Sequence, residues 1–381
     1  MIMRNCSILV FFFLCNWSNA QSQPQTNSTE PAPAVIEEVK KKEELEDRKD
    51  AVTRNKKAKG SKPKVDLYEK GSQFKLNSDV SSKQRNQRSP SDNEQERMDE
   101  VVKYFEVNSP NSFEYHYFKY TAGNYNLSLY NHLKKAEEIR PGNIDVIQQL
   151  AAYYMIKDMP ESASGFVKEL VDKLKLTSGV LLYSEDLLHS VPKNGILITH
   201  GFDDTFGAWY MQNVKNVRMD VTVISLDFLQ SDFYRKKLKK KGYEMSSSKI
   251  INVDFFSSFC KLNESKDLNI SLTIPQEYFQ KEASSFYMTG LVMKYSSTEI
   301  DNFNVNKDLW DNHLKKYLIQ KATDEKSKQL SSNYLPMLLQ MRRVYNQKAD
   351  FNKVMELDKS IDAISIQCNK YKKVQKLKTK Y

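Results

Sequence analysis

The chain has 381 residues, with 58 Lys and Arg against 48 Asp and Glu, for a formal net charge of +10. That length allows about two or three domains. Four cysteines are too few for the disulfide framework of a small secreted domain, and no run reaches the ~20 apolar residues of a membrane span.

The first twenty residues read as a leader. Arg4 precedes an apolar run from Cys6 to Trp17, and Ser18-Asn19-Ala20 places small residues at the first and third positions. This is the pattern of a secretory signal peptide cut before Gln21. The mature chain is therefore expected to be exported and periplasmic, with the outer membrane as one place of association, and not membrane-spanning. Cys260 and Cys368 remain after cleavage. Whether they are bridged cannot be read from sequence.

Residues 21–97 are rich in Gln, Ser, Asn, Pro, Lys and Glu and nearly lack aromatics. Such a segment buries too little apolar surface to offset its ordering entropy, which predicts a disordered basic tether. A lysine cluster runs from Lys40 to Lys64; further clusters lie at Lys236–Lys241 and Lys370–Lys380. Export turns such runs away from nucleic acid and toward anionic lipid, cell-wall polymer or an acidic protein surface.

Residues 98–176 show a helical period that repeats. Ala151, Tyr154, Ala163 and Val167 step back by about 34 residues onto Tyr117, Tyr120, Leu129 and Leu133. This is the spacing of tetratricopeptide-like hairpins, with one turn expected at Asp158-Met159-Pro160. The tyrosines Tyr117, Tyr120 and Tyr154, together with Tyr345 in the tail, are candidates for a partner-binding face, although at helical spacing they also suit a repeat core.

Over residues 177–300 the period changes. Ile196-Leu197-Ile198 is a continuous apolar run, as in a strand buried on both faces. A helix over Thr205 to Val214, a strand over Asp220 to Leu226 and a helix over Gln230 to Lys241 complete a βαβ unit. Strands are expected at Lys249 to Phe255, at Leu268 to Ile274 and, as one segment, at Phe286 to Tyr295. Residues 301–381 return to helices, with a hairpin turn at Lys348-Ala349-Asp350, an inner face of Leu339, Tyr345, Val354 and Ile361, and a lysine-rich end expected to fray. The fold class is α/β plus α: a small Rossmann-like parallel-sheet domain flanked by helical hairpins.

The candidate site is the segment "THGFDDTFGAWY", Thr199 to Tyr210. Ligands of open parallel sheets bind beyond the carboxyl ends of strands, where His200, Asp203 and Asp204 fall. These could hold sugar hydroxyls or a cation beside Trp209 and Tyr210. The competing reading is architectural: Asp204 or Thr205 as helix N-cap, Gly201 supplying a positive φ, and the aromatics packing the helix on the sheet. The architectural reading is favoured. No GxSxG, HExxH, phosphate-binding glycine loop or GxGxxG is present, and no cofactor or metal is expected. Adjacent carboxylates at a turn tend to diverge, which suits paired acid–base work poorly.

Residues Asn194 to Leu238, with Thr199, Gly201, Asp204, Thr205, Phe206, Trp209, Tyr210, Val217, Arg218, Asp220, Val221, Ser225 and Leu226 as the matching positions, resemble the soluble C-terminal region of bacterial multi-spanning protein O-mannosyltransferase-like proteins. The segment "LTIPQEYFQKEASSFYMTGLVMKYS" resembles a later part of the same region. The resemblance runs from about Lys175 to the C terminus and implies a shared fold. It implies no transferase activity, since the spans that would carry catalysis are absent and His200, Phe202, Asp203 and Gly207 depart from the family pattern. The expected function is a non-catalytic periplasmic scaffold or adaptor of a Gram-negative envelope complex linked to secretion, the outer membrane or the cell wall. It would bind envelope proteins through helical-repeat surfaces. The alternative is a glycan- or glycoprotein-binding accessory domain of envelope O-glycosylation.

Overall fold

In a computed structural model of the chain, residues 67, 69–74 and 88–380 are described. The expected leader and most of the expected tether lie outside them.

The helical part begins with α1 (Asp92–Asn108), ahead of Met98. Ser91 and Glu94 form a reciprocal capping box there, which satisfies two of the amide donors left free at a helix start. Residues 69–74 are also helical, and Phe74 stacks on Phe118 at 4.1 Å. The boundary of the tether at residue 97 is thus corrected: Phe74, one of two aromatics in a polar segment, packs against the folded helices.

Helices α2 (Phe113–Ala122), α3 (Tyr130–Ile139), α4 (Ile144–Ile156) and α5 (Pro160–Asp172) follow. α4 is capped by Asn143, and Pro160 opens α5, where its missing N–H costs nothing. The turn falls at Asp158 as expected, in the left-handed region at φ 61°. α6 (Ser178–His189) leads into β1 (Ile196–Thr199).

β1 is buried along its whole length, flanked in parallel by β2 (Thr222–Ser225) and β3 (Leu268–Ser271). α7 (Gly201–Asn213) joins β1 to β2; α8 (Asp232–Lys240) and α9 (Val253–Leu262) lie between β2 and β3. The single strand expected over Phe286 to Tyr295 is a hairpin, β4 (Phe286–Thr289) and β5 (Val292–Tyr295). Gly290 takes φ 63° at its turn, where a side chain would be strained. The mostly apolar segment hid the turn because both strands are buried, although Thr289-Gly290 marks it. The five-stranded order is β2-β1-β3-β5-β4, with β5 antiparallel to β3. The strand expected over Lys249 to Phe255 does not form: Asn252 accepts from Phe255 N–H and starts α9 instead.

α10 (Asn302–Asp308), α11 (Glu325–Ser331), α12 (Leu335–Gln347), α13 (Phe351–Gln367) and α14 (Tyr371–Lys380) follow. The α12–α13 turn lies at the expected Ala349, and Leu339, Tyr345, Val354 and Ile361 are buried as read. The end does not fray. Val374 and Leu377 are buried, and Lys378 pairs with Asp358 and Asp362 at 2.8 and 3.0 Å.

One apolar core runs from Ile147 through the sheet to Leu377, while two smaller clusters sit under α1–α2 and α2–α4. Buried Asp186 on α6 ties the C-terminal helices to this core. It accepts the backbone N–H groups of Lys315 and Lys316 at 2.5 and 2.8 Å and the Tyr334 hydroxyl at 2.6 Å. Cys260 and Cys368 are both free and buried. Among the described residues, no helix is long and apolar enough to cross a membrane.

Candidate functional site

The strand order reverses between β1 and β3, because the β1–β2 crossover and the β2–β3 crossover run in opposite directions across the sheet. In open α/β sheets a crevice forms at such a point, beyond the carboxyl ends of the strands. A cleft of about 390 Å³ lies there. One wall is the start of α7, with Phe202, Asp203 and Asp204. The second is the segment after β3, with Thr273 and Gln276. The third comes from the C-terminal helices, with Lys326, Gln329, Asn333, Cys368 and Lys370.

The start of α7 is not built as expected. Neither Asp204 nor Thr205 caps it; His200 holds the N-cap position and makes no side-chain cap bond. Gly201 has φ 72°, and its N–H donates to Asp227 Oδ2 at 2.5 Å. Asp227, just past β2, therefore performs the capping from another strand. Its other oxygen, Oδ1, accepts from Arg88 Nε at 2.7 Å, in an ion pair that is largely buried. Burial would raise the Asp227 carboxyl, but the Arg88 guanidinium and the Gly201 N–H hold it below its usual range.

His200 is enclosed. Its Nδ1 is buried with no partner, and burial followed by the positive charge of Arg88 pushes its pKa down to about 4. It is a neutral imidazole at physiological pH. Among the described residues no group of three or more His, Cys, Asp or Glu side chains is placed to hold a metal.

The two carboxylates separate, as helix geometry requires of neighbours about 100° apart. Asp203 accepts from Lys326 Nζ at 3.1 Å across the cleft. Asp204 turns inward and is buried. Its Oδ2 accepts from the Thr273 hydroxyl. Burial pushes its pKa up to about 7, while the hydroxyls of Ser271 and Thr273 pull the other way. Thr205 is spent in a buried hydroxyl network with Thr199 at 3.0 Å and Ser225 at 3.2 Å.

The expected aromatic pair is elsewhere. Tyr210 is buried and Trp209 packs against the main core. They lie about 10 Å further along the helix than Phe202, at 1.5 Å per residue. The aromatic side chain of the cleft is Phe202, tilted against Phe206 at 4.6 Å.

The tyrosine face is corrected as well. Tyr120 is fully enclosed and Tyr345 is buried. Tyr154 stacks on Phe166 at 5.7 Å, and Tyr117 on Phe113 at 5.5 Å. The rings of Tyr117, Tyr120 and Tyr154 pack with Phe113, Tyr130, Tyr153 and Phe166 in the repeat interior.

Sequence reading missed Arg88, Asp227, Thr273, Gln276 and the third wall. Asp227 carried a signal, since it stands at the carboxyl end of the second strand. Lys326, Cys368 and Lys370 carried none, because only packing of the C-terminal helices brings them in. Lys370 Nζ donates to Ser332 Oγ at 3.0 Å, and Gln367 Nε2 to Ser331 Oγ at 2.9 Å. These bonds fasten the end of α13 against α11.

The sheet, the cleft and the C-terminal helices all fall within residues 182–379, which match the family described as TMEM260-associated domain 2. The chain belongs to that family. The match covers just over half of it (198 of 381 residues, counting 182 to 379 inclusive). The family is linked to TMEM260, an O-mannosyltransferase-like protein, in line with the resemblance seen in the sequence. No curated protein and no solved structure gives a match. The family member's α1–α5 helices precede the matched region.

Proposed function

We propose that the chain is a non-catalytic, exported binding module of the bacterial cell envelope, an accessory to glycosylation that holds a glycan or glycoprotein in the cleft between β1 and β3. The observation that carries this reading is the convergence of acceptors and donors on the cleft beside an aromatic ring. Asp203, Asp204 and Gln276 supply oxygens; Lys326, Gln329 and Asn333 supply N–H groups; Phe202 supplies the ring. The Gln276 Oε1 is buried with no partner, and an unpaired buried acceptor costs about 1–3 kcal/mol, which a ligand hydroxyl would relieve. Neutral ligands with many hydroxyls suit such a mixture. Catalysis is not part of the proposal, since Asp203 is tied to Lys326 and Asp204 to Thr273 rather than to each other across a substrate.

The scaffold reading keeps one support. Phe351, Met355 and Ile366 on α13 are exposed and offer envelope proteins an apolar surface in place of the buried tyrosines. A periplasmic, Gram-negative setting, and contact of the basic tether with cell-wall polymer or anionic lipid, belong to the same proposal.

The test is retention of glycopeptides from the native envelope on the immobilised mature chain, compared with Phe202→Ala/Gln329→Ala. At least a tenfold loss in the double variant supports a glycan cleft. Equal retention of the same envelope proteins by both, unaffected by removing their glycans, overturns it in favour of the scaffold.

A further inference from the structure

A second cleft, of about 600 Å³, lies on the same carboxyl-end side of the sheet, past β2, between the start of α8 and the α1 and α2–α3 segments. We propose that it is a separate binding site for a neutral saccharide. It shares no lining residue with the cleft at β1 and β3, so it stands or falls apart from the function proposed above.

The floor of this cleft is Ser231, which is 2% exposed. Ser231 occupies the N-cap position of α8, where a serine ordinarily bonds the free amides of the first turn. Here it makes no cap bond, and its Oγ is buried with no partner. A buried hydroxyl left unpaired is costly, and a small movement toward the cleft would let it meet a ligand hydroxyl, alongside the free amides of α8.

Charge narrows the ligand class. A helix start and Lys249 would welcome an anion, but the carboxylates of Asp92 and Asp232 line the same cleft. Arg235 and Asp232 neutralise each other, the guanidinium being committed to Asp232 at 2.5 Å and to the Ser248 carbonyl at 2.8 Å, so Arg235 is not free to hold an anion and Asp92 remains to oppose one. A phosphate or carboxylate would sit against like charge. A neutral ligand with many hydroxyls can donate to the carboxylates and accept from Lys249 and Ser231.

The rim adds an apolar platform. Phe233 is 44% exposed and Ile250 is 42% exposed, although both are large and apolar. A sugar ring has an apolar C–H face and a polar edge. It could lie on Phe233 while its hydroxyls reach the floor, the arrangement of a mostly apolar surface with a few placed polar groups that small-ligand sites share. The shape is held from both sides. Asn124 Nδ2 donates to Gln95 Oε1 at 2.7 Å, joining the α2–α3 loop to α1, and Gln230 Nε2 donates to the Asp227 carbonyl at 3.0 Å.

The experiment uses the full mature chain on an array of neutral oligosaccharides, followed by calorimetric titration of the strongest binder. Inorganic phosphate serves as the anion control. Phe233→Ala, which removes an exposed side chain, and Ser231→Ala are compared with Phe202→Ala/Gln329→Ala in the other cleft. The expected result is a site weakened at least tenfold by Phe233→Ala and measurably by Ser231→Ala, and retained in the Phe202→Ala/Gln329→Ala protein. Circular dichroism melts of each variant separate loss of binding from loss of fold. The proposal is overturned if no saccharide on the array binds. It is overturned equally if binding survives both Phe233→Ala and Ser231→Ala, or if phosphate binds and displaces the saccharide.

Discussion

Arg88→Ala is the most informative single change. Arg88 is 7% exposed and Asp227 is 9% exposed, and the guanidinium meets Asp227 Oδ1 through two nitrogens, each at 2.7 Å. Removing the arginine leaves a buried carboxylate without its counter-charge, a loss of about 3–5 kcal/mol for pairs of this kind. The Gly201 N–H remains on Asp227 Oδ2, which argues for the lower end. The backbone bonds of this segment, Arg88 N–H to Ile251 O at 2.6 Å and Ile251 N–H to Ser89 Oγ at 2.9 Å, do not need the side chain and keep residues 88–89 docked. At roughly 2–4 °C per kcal/mol for a domain of this size, the melting temperature should fall by about 6–15 °C. Asp227→Ala should cost a similar amount, and the double variant less than the sum of the two. A second readout is His200. Without Arg88, one of the two influences that lower its pKa is gone, so its imidazole should titrate above about 4 by NMR. The reasoning is refuted if Arg88→Ala moves the melt by less than about 2 °C, or if the two single effects simply add.

Stability should depend on pH through two site residues of opposite sign. Asp204 binds its proton up to about pH 7 in the fold but only to about 4 when unfolded, so its contribution declines as pH rises from about 4 to 7. Asp204→Asn should remove that decline in urea titrations at pH 5 and 8. His200, held neutral down to about 4, protonates near 6.5 when unfolded, so its contribution declines as pH falls from about 6.5 to 4, and His200→Asn should flatten the acid side. The His116 and His132 Nδ1 atoms share one hydrogen bond of 3.0 Å, which needs a single proton between them. Burial lowers both pKa values; Lys135 adds to this at His116 and Lys119 at His132, while Glu138 and Glu106 oppose it. Double protonation breaks the bond, so amide exchange across α2 and α3 should quicken below pH 6.5, and less so in His116→Gln. Burial pushes the Cys260 and Cys368 thiols up; both should resist a thiol reagent in the folded protein and react once it is denatured.

What could be read directly from sequence was local. The run Ile196-Leu197-Ile198 specified a strand buried on both faces, because nothing polar interrupts it. The turns at Asp158 and Ala349 followed from the change of helical face on either side, and the hairpin interior followed from the spacing of Leu339, Tyr345, Val354 and Ile361. Local reading failed where one signal had two structural solutions. The apolar segment Phe286 to Tyr295 could be one strand or a buried hairpin, and the residues before Phe255 could extend or be capped by Asn252. Both were decided by packing against the sheet. The site was legible in its position, beyond the end of β1, and in Asp203 and Asp204. Its chemistry was not. Asp203 and Asp204 are neighbours in sequence, yet one meets Lys326 and the other Thr273, because a helix sends consecutive side chains in different directions. The groups that give His200 and Asp204 their protonation lie at Arg88, Asp227, Ser271 and Thr273, distant along the chain. The sequence alone determined the first two strands of the sheet, the helical hairpins on either side of it and where the crevice would open. Only the tertiary structure decided what lines it, since the energy of a buried charge depends on whatever the fold places within a few ångströms of it.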